Sequence, residues 1–224
     1  MKNRIFSLIC AFSLILSTII TVIDFWCFND AFYKHEYESL NTASSIGMSK
    51  DDLNKTTDVL LSYIKDYDKT LDINININGE NRQVFNEREK AHMIDVRDLY
   101  QNAIKVRNFS LLIYAFSLVI LIMNKGLNEL YRGFKKALGI FVFMFGLIAV
   151  FCLIDFNAFW TNFHHVFFPL NDLWLLDPRT DILIMMVPEK FFFDLCVLII
   201  FSIFILMLIF FIIIKLLDKR VFNK

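Results

Sequence analysis

Four stretches of this 224-residue sequence, residues 5–23, 108–124, 137–154 and 195–214, contain no Asp, Glu, Lys or Arg. A hydrocarbon core ~30 Å thick is crossed by about 20 apolar helical residues, so each stretch spans once its flanks are added. Backbone polar groups inside lipid must be satisfied within the segment, which makes the spans helices. None alternates as the strands of a membrane barrel do. The first stretch ends in Asp24-Phe25-Trp26-Cys27 without a small-residue cleavage site and reads as a span, not a cleaved leader. The remaining charge is concentrated: residues 28–107 hold 25 of the 46 charged side chains. The overall balance of 23 basic against 23 acidic residues offers no basic field for nucleic acid. The reading is an α-helical membrane protein, a four-helix transmembrane bundle with a small extracytoplasmic α+β cap.

Loop charge sets the orientation. The loop at 125–136 carries Lys125, Arg132, Lys135 and Lys136 against Glu129, and the tail at 218–224 carries Lys219, Arg220 and Lys224 against Asp218. Both termini are therefore expected in the cytoplasm, with spans over 5–27, 108–124, 137–155 and 191–217 and with residues 28–107 and 156–190 outside. Cys10, Cys27, Cys152 and Cys196 lie in or at the ends of spans without a CxxC or a disulfide framework. Asp24, Asp155 and Asp194 sit at the outer ends of spans, where acids cost less than at mid-bilayer.

In the first external segment, Ser49 followed by Asp51 and Asp52 marks a helix start, with Leu53, Leu60, Tyr63 and Tyr67 at helical spacing. The alternation Ile73-Asn74-Ile75-Asn76-Ile77 before Asn78-Gly79 predicts a strand entering a tight hairpin, with Gln83-Val84-Phe85 returning. From residue 87 a helical pattern resumes, and His92, Val96, Leu99, Ala103 and Val106 share one stripe. Asp95 lies within reach of His92 at i,i+3.

The second external segment holds all three prolines, two of the three tryptophans and two of the four histidines. On a helical wheel Phe156, Phe159, Trp160, Phe163 and Phe167 share a face, as in a helix lying in the membrane interface. His164 falls at the edge of that face and His165 opposite it, which makes His164 the histidine of interest. Residues 169–181 read as consecutive turns built on Pro and Asx residues. There is no HExxH, no G-x-S-x-G and no Gly-rich phosphate cradle. What remains is histidine, suited to general acid–base work near neutral pH, with carboxylates and one arginine nearby.

Two stretches carry a resemblance to a known family. His92-Met93-Ile94-Asp95-Val96 resembles an H-[LM]-x-D-V signature. Phe163-His164-His165-Val166-Phe167-Phe168, then Asp172-Leu173-Trp174, Asp177-Pro178-Arg179-Thr180-Asp181 and Pro188-Glu189-Lys190-Phe191-Phe192, resembles F-H-x-x-F-F…D-x-W…D-P-x-x-D…P-E-x-F-F. Both belong to the lipoprotein intramolecular transacylases, small four-span membrane proteins of Gram-positive bacteria. The doubled histidine is a departure: His164 takes the signature's place and His165 a variable one.

The resemblance implies an acyltransferase of the cell membrane with its site at the outer face. Its substrates would be diacylglyceryl lipoproteins, whose sn-2 acyl chain moves to the α-amino group of the lipidated N-terminal cysteine, giving the lyso form. It would use no cofactor and no metal, bind membrane lipid but no nucleic acid, and work as a monomer. His164 and His92 would be the catalytic pair, with Asp95 orienting His92 and Arg179 or backbone amides at the oxyanion. Asp172, Trp174, Asp177 and Asp181 would support them. The alternative is a non-catalytic sensor or assembly factor whose cap binds a partner. A straight helix through residue 108 would carry His92 ~24 Å past that residue. The reading therefore includes a bend near Asn102 that lays residues 88–101 on the membrane surface.

Overall fold

The computed structural model describes residues 2–222, with side chains through Asp218; Lys224, counted in the tail charge, lies outside the described residues, as do the side chains of Lys219 and Arg220. In chain order the elements are α1 (Lys2–Cys27), α2 (Asp30–Ser39), α3 (Thr42–Ile46), α4 (Lys50–Ile64), β1 (Asn74–Ile77), β2 (Glu80–Gln83), α5 (Glu87–Met123), a 3₁₀ turn (Leu127–Glu129), α6 (Leu130–Ile154), α7 (Phe156–Phe167), α8 (Ile182–Met186) and α9 (Glu189–Phe222). Four helices are long and apolar enough to cross a membrane, over Lys2–Cys27, Glu87–Met123, Leu127–Ile154 and Glu189–Asp218. The chain divides into two compact units.

The first unit (residues 1–25, 103–154 and 196–224) holds the apolar helices. Many large side chains point outward: Phe109, Leu112 and Phe116 on α5, Phe143 and Leu147 on α6, and Phe201 and Leu208 on α9 are exposed, whereas Leu121, Phe134, Phe141, Ile203 and Met207 are buried. Small residues share the contacts with these. Ser7, Cys10, Ala11, Ser17, Ser110, Ser117 and Ala137 are buried. A β-carbon at Gly133 would fall 2.4 Å from Ser7 Oγ, so α6 meets α1 where neither carries bulk. This is how helices associate in lipid, where burying apolar surface gives no drive and close packing does. Asp24 and Arg107 form an ion pair at 2.8 Å.

The second unit (residues 26–102 and 155–195) holds the cap. Ser49 caps α4 by accepting the Asp52 N–H at 3.0 Å, and Leu53, Leu60 and Tyr63 are buried. Tyr67 leaves the stripe: α4 ends at Ile64, Asp66 takes a positive φ of 61°, and Tyr67 is 77% exposed. The hairpin forms with Ile77 opposite Glu80 and Asn74 opposite Gln83. Asn78 and Gly79 take φ of 54° and 89°, the two positive values of a type I′ turn. Ile73, Ile75 and Ile77 are buried while Asn74 and Asn76 face out; the return strand starts directly at Glu80 and is exposed.

Helix α5 runs unbroken through Asn102 over all 37 residues of Glu87–Met123, with neither Gly nor Pro between Gly79 and Gly126, and the division between the two units falls within it, after Asn102.

Candidate active site

The site lies in the second unit, between the first turns of α5, the C-terminal end of α7 and the turns that follow it. Asn86 and Glu89 start α5 as a reciprocal capping box. Asn86 Oδ1 accepts the Glu89 N–H at 3.0 Å and Glu89 Oε2 accepts the Asn86 N–H at 2.7 Å. The other Glu89 oxygen accepts the Leu183 N–H at 2.6 Å, at the start of α8. Asn86 Nδ2 donates to Asp181 at 2.9 Å, and Asp181 Oδ2 in turn accepts the Asp177 N–H at 2.7 Å. Glu89 and Asp181 are both buried, and their recorded donors are neutral. Burial pushes the Glu89 carboxyl above its ordinary range, against the pull of the Leu183 and Asn86 N–H groups. This network fixes the 177–183 segment to the turn of α5 that precedes His92.

Asp155 caps α7 by accepting the Ala158 N–H at 2.9 Å. The aromatic face read from the wheel is a run of rings in contact, stacked from Phe156 to Phe163 and tilted between Phe163 and Phe167. Phe156 and Trp160 are 5.8 Å apart, Trp160 and Phe163 5.0 Å, Phe163 and Phe167 4.7 Å, and Trp160 also stacks on Phe192 at 4.4 Å. His164 is buried and His165 is exposed. His164 Nδ1 is 2.8 Å from the Trp160 carbonyl oxygen. A carbonyl only accepts, so Nδ1 carries the proton and Nε2 of the neutral ring keeps its lone pair.

The segment after α7 is the expected series of turns. Asn171 Oδ1 accepts the Leu173 N–H at 3.0 Å while its amide donates to Asp95 at 2.9 Å. The Arg88 guanidinium donates to the Asp172 carbonyl oxygen. Both contacts hold the turn against α5 and bring Trp174 face-on to His164, with centroids 4.7 Å apart and planes 23° apart.

His92 and His164, 72 positions apart in the sequence, have ring centroids 6.1 Å apart. Phe168 touches both, at 5.4 Å and 5.8 Å. His92 is 7% exposed, and its Nδ1 is a buried atom without a hydrogen-bond partner among the described residues; Trp174 Nε1 is another. Burial and the neighbouring His164 push His92 down to about 4, against a smaller upward pull from Asp95. Burial also lowers His164, opposed by its bond to the Trp160 carbonyl. Both imidazoles are thus neutral at pH 7. Beside them a cleft of about 250 Å³ is lined by Asp95, Asp98, Asn102, Phe168, Leu170 and Asn171, among others.

The remaining sequence candidates take distinct places. Asp95 accepts from Asn171 and acts on His92 through its charge. Arg179 makes a two-pronged pair with Asp177, at 3.0 and 2.7 Å, and its side chain is 86% exposed; the pair holds the Asp177 carboxyl down at about 2. Asp172 contributes its backbone carbonyl. Among the described residues no three His, Cys, Asp or Glu side chains gather as metal ligands. Asp24, Asp155 and Asp194 have separate partners, in Arg107, the Ala158 N–H and Lys190. Sequence reading gave no role to Glu89, Asn86, Arg88 or Phe168. The N-x-x-E spacing of the capping box was visible for the first two; the contacts of the others form only on folding.

Four long apolar helices with outward-facing side chains define a multi-pass membrane protein. Residues 8–192 match the family model described as lipoprotein intramolecular transacylase Lit, and the chain belongs to that family. The structure of the membrane integral lipoprotein intramolecular transacylase Lit from Bacillus cereus superposes with a TM-score of 0.80 at 21% identity, covering 98% of this chain and 97% of that one. A variant of the Bacillus cereus protein with a histidine replaced by alanine gives 0.78 at 22% identity, over 98% and 94% of the two chains. No curated protein sequence matches significantly. At this identity the structural likeness establishes the shared fold; the family rests on the sequence match.

Proposed function

We infer that this protein rearranges diacylglyceryl lipoproteins at the outer face of the cell membrane, with both termini in the cytoplasm. The sn-2 acyl chain passes to the α-amino group of the lipidated cysteine. The amine nitrogen forms a bond to the ester carbonyl carbon, the carbon–oxygen bond to the glyceryl group breaks, and the freed oxygen takes a proton. An ester becomes an amide and a hydroxyl, so atoms balance without an outside donor. Nucleophile and electrophile sit on one substrate, and holding such partners in attack geometry can remove ~7–11 kcal/mol of the barrier. No serine or cysteine nucleophile is needed.

The observation that carries this reading is the convergence of His92 and His164 at 6.1 Å in one buried cluster. His164 Nε2, with Nδ1 committed to the Trp160 carbonyl, takes the proton from the attacking amine. His164 hands that proton on to His92, which delivers it to the departing oxygen, with Asp95 stabilising the charge His92 carries in between. The site as a whole neither gains nor loses a proton per turnover.

The test is mass spectrometry of a lipoprotein N-terminus from cells expressing the protein or its variants. His164→Ala and His92→Ala are expected to abolish lyso-lipoprotein while leaving the protein in the membrane. His165→Ala, at an exposed position, is expected to retain most activity. Normal turnover by His92→Ala removes the two-histidine scheme. Tolerance of alanine at both buried histidines points to the non-catalytic alternative.

A further inference from the structure

We propose that Trp174 is a positioning residue whose indole face stabilises the imidazolium of His164 while that ring holds the amine proton. The inference rests on the proposed acyl transfer. In hydrolytic triads a buried carboxylate behind the histidine stabilises the transient cation. Here the position behind His164 is filled by the Trp160 backbone carbonyl, a neutral acceptor, and no carboxylate is hydrogen-bonded to His164 among the described residues. The charge that develops on His164 therefore needs another source of stabilisation.

Ring geometry supplies one. Trp160 and Phe163 stand nearly perpendicular to His164, with planes at 84° and 85°, and Phe168 and His92 are tilted at 41° and 37°. Among the described residues Trp174 is the one ring stacked on it, at 4.7 Å and 23°. A cation over the face of an indole within about 6 Å is attracted by the negative face of the ring system, and the attraction grows when water is excluded. His164 is buried, so the excluded-water condition holds. The turn is anchored for this purpose by Asn171 to Asp95, by Arg88 to the Asp172 carbonyl, and by the Leu176 N–H to the Trp174 carbonyl at 3.0 Å. Of the titratable groups around it, His165 on α7 opposes a cation on His164, while Asp95 and Arg88 on α5 act on the neighbouring His92, 6.1 Å away.

The test places 5-fluoro-, 5,6-difluoro- and tetrafluorotryptophan at position 174 alone by nonsense suppression. The full chain is assayed in lipid nanodiscs on a synthetic S-diacylglyceryl cysteinyl peptide. Fluorine withdraws density from the indole face with little change of shape, so a packing role is untouched by the series. The expected result is a graded fall in kcat, about 5- to 30-fold at tetrafluorotryptophan, with a parallel fall in the His164 pKa measured by NMR titration of the ring. A flat series overturns the proposal and leaves Trp174 as packing. A rising series also overturns it, because fluorination makes the buried Nε1–H a better donor, and the rate then follows the N–H. His164→Ala in the same assay separates the two levels: activity there sinks the proposed acyl-transfer scheme, whereas inactivity with a flat series sinks only the role of Trp174.

Discussion

Burying His92 in neutral form links the stability of the cap to pH. Its pKa lies at about 4 in the folded protein against an ordinary value of 6.5. A folded-state value below the unfolded one means that the unfolded chain binds the proton more readily. The stabilisation is complete above pH 6.5, declines as pH falls from 6.5 toward 4, and is constant below that. A difference of 2.5 units corresponds to about 3 kcal/mol, most of which is lost by pH 4.5. For a chain of 150–250 residues each kcal/mol moves Tm by roughly 2–4 °C, so His92 accounts for about 5–10 °C between pH 8 and 4.5. His92→Gln has no such proton to bind. Thermal unfolding in detergent, followed by differential scanning fluorimetry at both pH values, is expected to show a smaller drop for the variant than for the wild type by that margin. Equal drops refute the argument and place His92 in water. His164, lowered in the same direction, adds to the slope, so a His92→Gln/His164→Gln double variant is flatter still.

Further outcomes follow from other contacts. Glu89→Ala strands the Leu183 and Asn86 N–H groups in a buried place, at about 1–3 kcal/mol each, and denaturation should show a loss of about 2–5 kcal/mol; Glu89→Gln keeps one acceptor and is milder. Arg179→Gln is expected to slow turnover only a few-fold, since the guanidinium is tied to Asp177 on an exposed side; a loss of 100-fold or more in kcat assigns it to the oxyanion. Gly47→Ala should destabilise the cap by about 1–2 kcal/mol, because Gly47 has a φ of 82° and a β-carbon would fall 2.0 Å from Asn78 Oδ1.

The spans, the Asn78-Gly79 hairpin and the His164 face were legible because each rests on local periodicity or turn chemistry. Lipid demands long uncharged helices, a type I′ turn demands positive φ, and a helix places residues at fixed angles. What sequence left unread is long-range. Asn86 and Asp181 are 95 positions apart and meet through an amide and a carboxylate, common surface residues whose burial is decided only by folding. The run free of Gly and Pro that carries α5 unbroken from Glu87 to Met123 is, like the hairpin, local.

The depressed histidines raise a question of driving force. An α-amine has a pKa near 7.7–8.0, above that of either imidazole in this site, so His164 is a poor base for removing a proton from the resting ammonium. The difficulty disappears once attack has begun. Bonding to the carbonyl carbon makes the nitrogen strongly acidic, and in the proposed scheme transfer to His164 Nε2 becomes downhill. The amine must therefore enter neutral and lose its proton after the carbon–nitrogen bond starts to form. This order has a signature in the pH dependence of kcat/KM. Between pH 6.5 and 7.5 the rate should climb close to tenfold per unit, following the substrate amine, and level off near pH 8. His92, already neutral there, adds no inflection. A plateau reached by pH 7 means instead that the enzyme accepts the ammonium, and that a group other than these buried imidazoles takes its first proton.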